Sequence, residues 1–330
     1  MDRVDQLRAW VAGTLAVDAF DLAPASSDAS FRRYFRATLN GRHYIVMDAP
    51  PSHEDCRPYL HVAELFRTAG VHVPAVLALD LDQGFLLLSD LGRTTYLAAL
   101  DESNARELYL AANEALLSIQ AASRPGALPD YDRALLLREM RLFPEWYVGR
   151  HLGRVLESEQ QAQLAQVFEV LLANNLAQPR VWVHRDYHSR NLMLSEPNPG
   201  VLDFQDAVYG PITYDLVSLY KDAYIRWDEE QVLDWVIRYW ETAKKRRLPV
   251  DADFYAFYRD FEWMGVQRHL KVLGIFARLW HRDGKQGYLK DMPLVMDYLK
   301  KACERYDELR PLLGLLNELE GQAPQVGYSF

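Results

Sequence analysis

The segment Val183-His184-Arg185-Asp186-Tyr187-His188-Ser189-Arg190-Asn191 sets a carboxylate and a carboxamide five residues apart, and Asp203 follows in Leu202-Asp203-Phe204-Gln205. These side chains suit transfer of a phosphoryl group to an alcohol. Asp186 is placed to accept the proton of an attacking hydroxyl, while the Asn191 amide and the Asp203 carboxylate hold magnesium on the phosphates of ATP. Oxygen donors of this kind match magnesium, which binds few protein oxygens and fills its octahedron with phosphate and water. Each residue alone reads as a turn cap or a strand end. The three in this order, with a hairpin between the last two, are not required by a fold for its own sake.

The neighbouring elements are the ones needed to position that set. Val181-Trp182-Val183 reads as a short apolar strand feeding the polar loop. Leu192-Met193-Leu194 and Val201-Leu202 are apolar runs parted by Ser195-Glu196-Pro197-Asn198-Pro199-Gly200, a turn-rich linker that predicts a hairpin. Asn191 then stands at the start of one strand and Asp203 at the end of its partner, so the hairpin brings the two ligands together.

Upstream, Val4, Leu7, Trp10, Val11 and Leu15 give residues 3–16 a helical apolar stripe. Phe31–Leu39 and His43–Met47 flank Asn40-Gly41, a dipeptide suited to a two-residue turn in which both positions take positive φ. A helix is expected over Glu54–Ala69, ended by Gly70, and strands over Ala75–Leu79 and Phe85–Leu88. Beyond Asp90, helical periodicity occupies 101–122, 157–178, 213–225, 229–246, 254–280 and 291–319, with Gly321–Phe330 a loose tail. The expected class is α+β: a small antiparallel β lobe over 1–90 that binds nucleotide, then a mainly helical lobe over 91–330 that carries the catalytic loop and the acceptor site.

The composition narrows the field. A chain of 330 residues with 49% hydrophobic content supports a sizeable core. A net charge of −9 disfavours nucleic acid and anionic membranes as partners. Cys56 and Cys303 show neither metal spacing nor a disulfide framework. The N-terminus lacks the apolar core of a signal peptide, and no apolar run approaches membrane-spanning length. A cytoplasmic monomer acting on a small molecule is expected.

For the nucleotide, the polar stretch Ser26-Ser27-Asp28-Ala29-Ser30 precedes the Phe31–Leu39 strand and suits a turn whose N–H groups cover phosphates. Leu86-Leu87-Leu88-Ser89-Asp90-Leu91-Gly92 joins the two lobes and offers backbone groups and apolar faces to an adenine. The expected nucleotide contacts are Ser27, Asp28, Ala29, Ser30, Phe31, Arg33, Val46, Leu88, Asp90 and Leu91. For the acceptor, the 254–280 helix presents Trp263, Gln267 and Lys271 at helical spacing, with Arg268 beside them. An aromatic face, an amide and cations suit a sugar that carries a carboxylate better than they suit a polycation. Glu139, Trp146, His188, Arg190 and Gln205 complete the expected acceptor contacts. Lys244-Lys245-Arg246-Arg247 reads as a solvated helix end, where cations oppose the dipole.

His184–Asn191, Leu202-Asp203-Phe204 and Pro211-Ile212-Thr213-Tyr214-Asp215-Leu216 resemble the aminoglycoside phosphotransferase and choline-kinase-like branch of the protein-kinase fold, along nearly the whole chain. The resemblance implies a two-lobed kinase-like fold, ATP and Mg2+, and a structural role for Asp215 in steadying the catalytic loop. Met47-Asp48-Ala49-Pro50-Pro51, Arg138-Glu139-Met140, Phe143–Tyr147 and Gln267–Leu279 look like a narrower group, kinases of the C1 hydroxyl of N-acetylmuramate and N-acetylglucosamine that serve cell-wall sugar recycling. An aminoglycoside, choline or homoserine type of acceptor, or a nucleotide-binding pseudokinase, is the alternative. One departure stands out. Kinases of this fold place a Lys on the third strand, paired with a helix Glu, to hold the α/β-phosphates. Here Met47 occupies about that position, and Glu64 on the next helix has no matching cation; Arg32, Arg33 or Arg36 on the neighbouring strand is available instead.

Overall fold

The computed structural model describes residues 2–27 and 31–321; the expected nucleotide contacts Asp28, Ala29 and Ser30, and the tail beyond Gly321, lie outside the described residues. The chain sorts into two compact units, Met1–Ile119 with Arg190–Ala207, and Gln120–Ser189 with Val208–Phe330.

The first unit opens with α1 (Arg3–Leu15), then β1 (Asp21–Ser27), β2 (Arg33–Leu39), β3 (Arg42–Asp48), α2 (Arg57–Thr68), β4 (Val76–Asp80), β5 (Phe85–Ser89), α3 (Tyr96–Ala99) and most of α4 (Ala105–Ala121). Among the described residues the strands form a five-stranded antiparallel sheet, ordered β1-β2-β3-β5-β4. Asn40 (φ 49°) and Gly41 (φ 78°) turn β2 into β3 with the two left-handed residues their sequence predicts. Alternation then decides which side chains share a face. Leu7 and Val11 of α1 pack on Ala37, Val46, Phe85 and Leu87, while Tyr34, Met47 and Leu86, adjacent in register, lie on the opposite face.

Asp48 fastens α1 to this sheet. Fully buried, it accepts from Arg3 Nε at 2.7 Å and from Arg33 Nε at 2.9 Å. A buried carboxylate without such cations would be costly, so the two arginines and the acid form one structural unit. The chain then passes close beneath the β4–β5 turn, where a Cβ on Gly84 would sit 1.9 Å from the Ala49 carbonyl oxygen. Only glycine fits there.

The second unit holds α5 (Arg133–Met140), a π-helix (Phe143–His151), α6 (Ser158–Ala177), and β6 (Arg180–Val183). The chain crosses into the first unit for a short hairpin of β7 (Leu192–Met193) and β8 (Gly200–Val201). It returns with β9 (Val208–Pro211), α7 (Tyr214–Tyr220), α8 (Glu229–Lys245), α9 (Phe254–Asp283), α10 (Met292–Arg305) and α11 (Arg310–Leu319). The 30-residue α9 is the axis of this unit, and the residue that enters the π-helix meets it at Gly274, where a Cβ would fall 2.4 Å from the Leu142 carbonyl carbon. No helix among the described residues is long and apolar enough to cross a membrane.

Several element expectations need correction. The 291–319 periodicity is two helices, because Tyr306 is extended (φ −123°, ψ 122°) and a proline opens α11. The 213–225 helix stops at Tyr220, and α2 begins only at Arg57. Strand β9, helix α5 and the π-helix fall where no regular element is expected. Ser26 and Ser27 belong to β1 rather than to a turn, since a register shift after Pro24 carries pairing on to Ser27 opposite Arg33.

Candidate active site

Asp186 sits in the loop after β6, and that loop is held by two buried carboxylates of the same unit. Asp215, 1% exposed, accepts from the backbone N–H of His184 at 2.7 Å and of Arg185 at 3.0 Å. It thereby secures a left-handed Arg185 (φ 77°), a conformation that costs a non-glycine residue energy and persists only when its surroundings enforce it. Burial pushes the Asp215 carboxyl up to about 7, against the pull of those two donors and Arg268. Asp222, 2% exposed, accepts from both the backbone N–H (3.0 Å) and the hydroxyl of Ser189, and from the N–H of Tyr224 at 3.0 Å. Sequence reasoning finds Asp215 and misses Asp222, whose only signal is its place one residue after Lys221 at the end of α7.

The Asp186 side chain is 40% exposed, with Arg268 Nη1 at 3.8 Å. Burial raises its pKa, but Lys271, Arg268, His188 and Arg185 outweigh burial and hold the carboxyl well below the usual carboxylate range. It is therefore ionised. Behind it lies Glu139, expected to touch the acceptor but buried with four partners of its own. It accepts from Arg185 Nη2 (2.5 Å), Gln267 Nε2 (3.3 Å) and the Tyr131 hydroxyl, and pairs with Lys271 Nζ at 3.1 Å. The expectation at Glu139 is corrected on that ground: its oxygens organise the cations around Asp186. Lys271 also donates to the Tyr214 hydroxyl at 2.9 Å, and Arg268 to Tyr214 at 3.2 Å and to the Arg185 carbonyl at 2.9 Å.

In the first unit, the β7–β8 hairpin pairs Leu192 with Val201 and Met193 with Gly200. The Asn191 carbonyl accepts from Leu202 N–H at 2.9 Å, and its Nδ2 lies 3.4 Å from Asp203 Oδ2. Asp203 is left-handed (φ 60°), and Gln205 Nε2 donates to its Oδ1 at 2.8 Å. Phe204 locks this turn by inserting its buried ring beside Tyr59 (4.9 Å) and Phe66 (5.8 Å) of α2. Two adjacent oxygen-bearing side chains on an anchored hairpin are donors of the kind magnesium takes.

The remaining expected contacts divide. His188 stands edge-on to Tyr224 at 5.4 Å in the second unit, and Arg190 is half-buried where the chain enters the first. Trp146 is half-buried on the π-helix. Gln267 has a buried Oε1 with no hydrogen-bond partner among the described residues. Trp263 instead packs edge-on to Tyr306 at 5.8 Å. Among the nucleotide expectations, Leu88 is buried beside Ile45 in register, and Leu91 is buried beneath Gly200. Phe31 is 64% exposed and stacks on His53 at 4.5 Å. Asp90 is taken up by Arg36 Nε at 2.5 Å and the Gly92 N–H at 2.9 Å. Val46 and Arg33 are corrected: both lie on the face covered by α1, Val46 in its core and Arg33 on Asp48.

Comparison with known proteins agrees with phosphoryl transfer as the reaction class. Residues 21–249 match the phosphotransferase enzyme family. An N-acetylmuramate/N-acetylglucosamine kinase of Pseudomonas aeruginosa is 52% identical, covering 98% of this chain and 97% of its own. One of Neisseria meningitidis is 52% identical over the full length of both. Among solved structures, a choline kinase of Streptococcus pneumoniae superposes with a TM-score of 0.65 at 12% identity, covering 91% of this chain and all of that one. An ADP-bound aminoglycoside phosphotransferase gives 0.59 at 15% identity, covering 89% and 97%. At such identities the likeness is one of fold, the kinase-like α+β fold with its antiparallel sheet and helical region. By the family match over most of its length and relatives of about half identity along nearly all of it, the chain belongs to the phosphotransferase enzyme family.

Proposed function

We propose that the protein transfers the γ-phosphoryl group of ATP to the anomeric C1 hydroxyl of N-acetylmuramate or N-acetylglucosamine, in cytoplasmic recycling of cell-wall amino sugars. The observation that carries this reading is the 52% identity, end to end, to relatives that bear that kinase name. The ionised Asp186 orients the C1 hydroxyl and accepts its proton as the oxygen attacks in line. Lys271 and Arg268 keep that carboxylate ionised, which makes it a weak base. A weak base suffices for an anomeric hydroxyl, which is more acidic than an ordinary alcohol. Asn191 and Asp203 would hold magnesium, and the bound ion would neutralise charge on the phosphates. The protein otherwise contributes position and preset charge rather than covalent chemistry.

The test is phosphorus NMR of the product made from N-acetylmuramate and ATP. A C1 phosphate is the expected result. A C6 phosphate, or turnover with aminoglycosides or choline but with neither amino sugar, overturns the assignment.

A further inference from the structure

The place on the third strand where a kinase of this fold carries its phosphate-binding lysine is here Met47, fully buried and flanked in register by Tyr34 and Leu86. The helix carboxylate that would pair with such a lysine is absent in function too: Glu64 is exposed and bonded to Arg67 at 2.7 Å on its own helix. Three arginines on or immediately ahead of the neighbouring strand are the available cations, and the structure separates them. Arg33 points to the α1 face and is bound by Asp48. Arg36 makes a two-pronged contact with Asp90, at 2.5 and 3.0 Å, and donates to the Gly92 carbonyl at 2.8 Å. Arg32, immediately ahead of β2, lies near Tyr34, which sits on the Met47 side.

Arg32 Nη2 lies 2.9 Å from Glu54 Oε2, in the loop ahead of α2, with the two side chains only 13% and 14% exposed. The preceding residues are joined as well, through the Phe31–His53 stack, so two consecutive residues of one segment are tied to two of the other. Burial lowers the Arg32 pKa, but Tyr34, Glu54, Asp206 and Asp203 outweigh it and raise it, which places the guanidinium within electrostatic reach of the candidate magnesium ligand. A guanidinium is always charged and its fork matches two phosphate oxygens at once.

We propose that Arg32, held by Glu54, is the cation that grips the phosphate chain of the nucleoside triphosphate, in place of the missing strand-three lysine. This rests on the kinase reading above. Glu54 does not touch the nucleotide; it is a positioning residue that fixes the direction of the guanidinium.

Calorimetric titration of the full chain with adenosine and with ATP plus magnesium, backed by KM for each substrate, tests this. Arg32→Gln is expected to weaken ATP binding by about 10- to 100-fold, the value of a charge-assisted contact. It should raise KM for ATP and leave adenosine affinity and KM for the sugar within about twofold. Arg32→Lys, which keeps the charge, should recover part of the loss, and Glu54→Gln should show a smaller loss with the same ATP-over-adenosine signature. ATP binding unchanged in Arg32→Gln overturns the inference and leaves the kinase standing. Equal loss of adenosine and ATP in both Arg32 variants also overturns it, and marks the pair as a structural tie. An unmutated chain that binds neither nucleotide overturns the kinase reading itself, and this inference with it.

Discussion

In the proposed reaction Asp186 combines two properties that pull against each other: it must be ionised to accept a proton, yet a carboxylate held far below its ordinary pKa is a poor acceptor. Lys271 is the first of the cations that depress it, so Lys271→Gln should move the acid limb of kcat against pH to higher pH. An acid limb that stays in place when the initial rate is followed from pH 2 to 6 counts against this account. Asp186→Asn should cut kcat by about 10²- to 10⁴-fold, the usual contribution of a positioned base, with thermal unfolding nearly unchanged. The placement of Asn191 beside Asp203 is legible in the sequence, because two apolar runs flank a turn-rich linker that must fold back as a hairpin. Glu139 and Arg32 are not: what each does depends on partners up to 132 residues away, as with Glu139 and Lys271. Spacing cannot tell a buried hub from a contact surface.

Elements with strong local signals are equally legible. Asn40-Gly41 predicts its hairpin because both turn residues must be left-handed, and they are. The π-helix and the break at Tyr306 leave no such mark, since an apolar period runs through both regardless of the hydrogen-bonding pattern. The Asp203 turn depends on α2 through the Phe204 ring. Phe204→Ala should cost about 3–5 kcal/mol in chemical denaturation and also lower kcat, because the turn loses its anchor. Leu7→Ala, in the core under α1, should cost about 2–5 kcal/mol while sparing kcat in the cold. Equal kinetic damage from both would show that the Asp203 turn has no special dependence on Phe204.

At the scale of the molecule, α9 carries a titratable group into the core. His269 is 1% exposed, stacked on Tyr298 at 5.3 Å, with Nε2 3.2 Å from the Lys221 carbonyl. Burial, aided by Lys221, lowers its pKa from 6.5 to about 3. Protonation therefore favours the unfolded chain: the stability owed to the neutral ring is complete above about 6.5 and is lost as pH falls toward 3. The slope is at most about 1.4 kcal/mol per pH unit from this group. The melting temperature should fall from pH 7 to pH 5, and His269→Gln should fall less over the same interval. Parallel falls would remove His269 from the acid response.

Because Arg190–Ala207 belongs to the same unit as Met1–Ile119, the amino-terminal third depends on a passage translated much later. A ribosome that has released only the first 119 residues has made Tyr59 and Phe66 but not the ring that fills the socket between them. Such a fragment, expressed alone, should be adhesive and poorly soluble, and a synthetic peptide of residues 190–207 supplied in trans should rescue it.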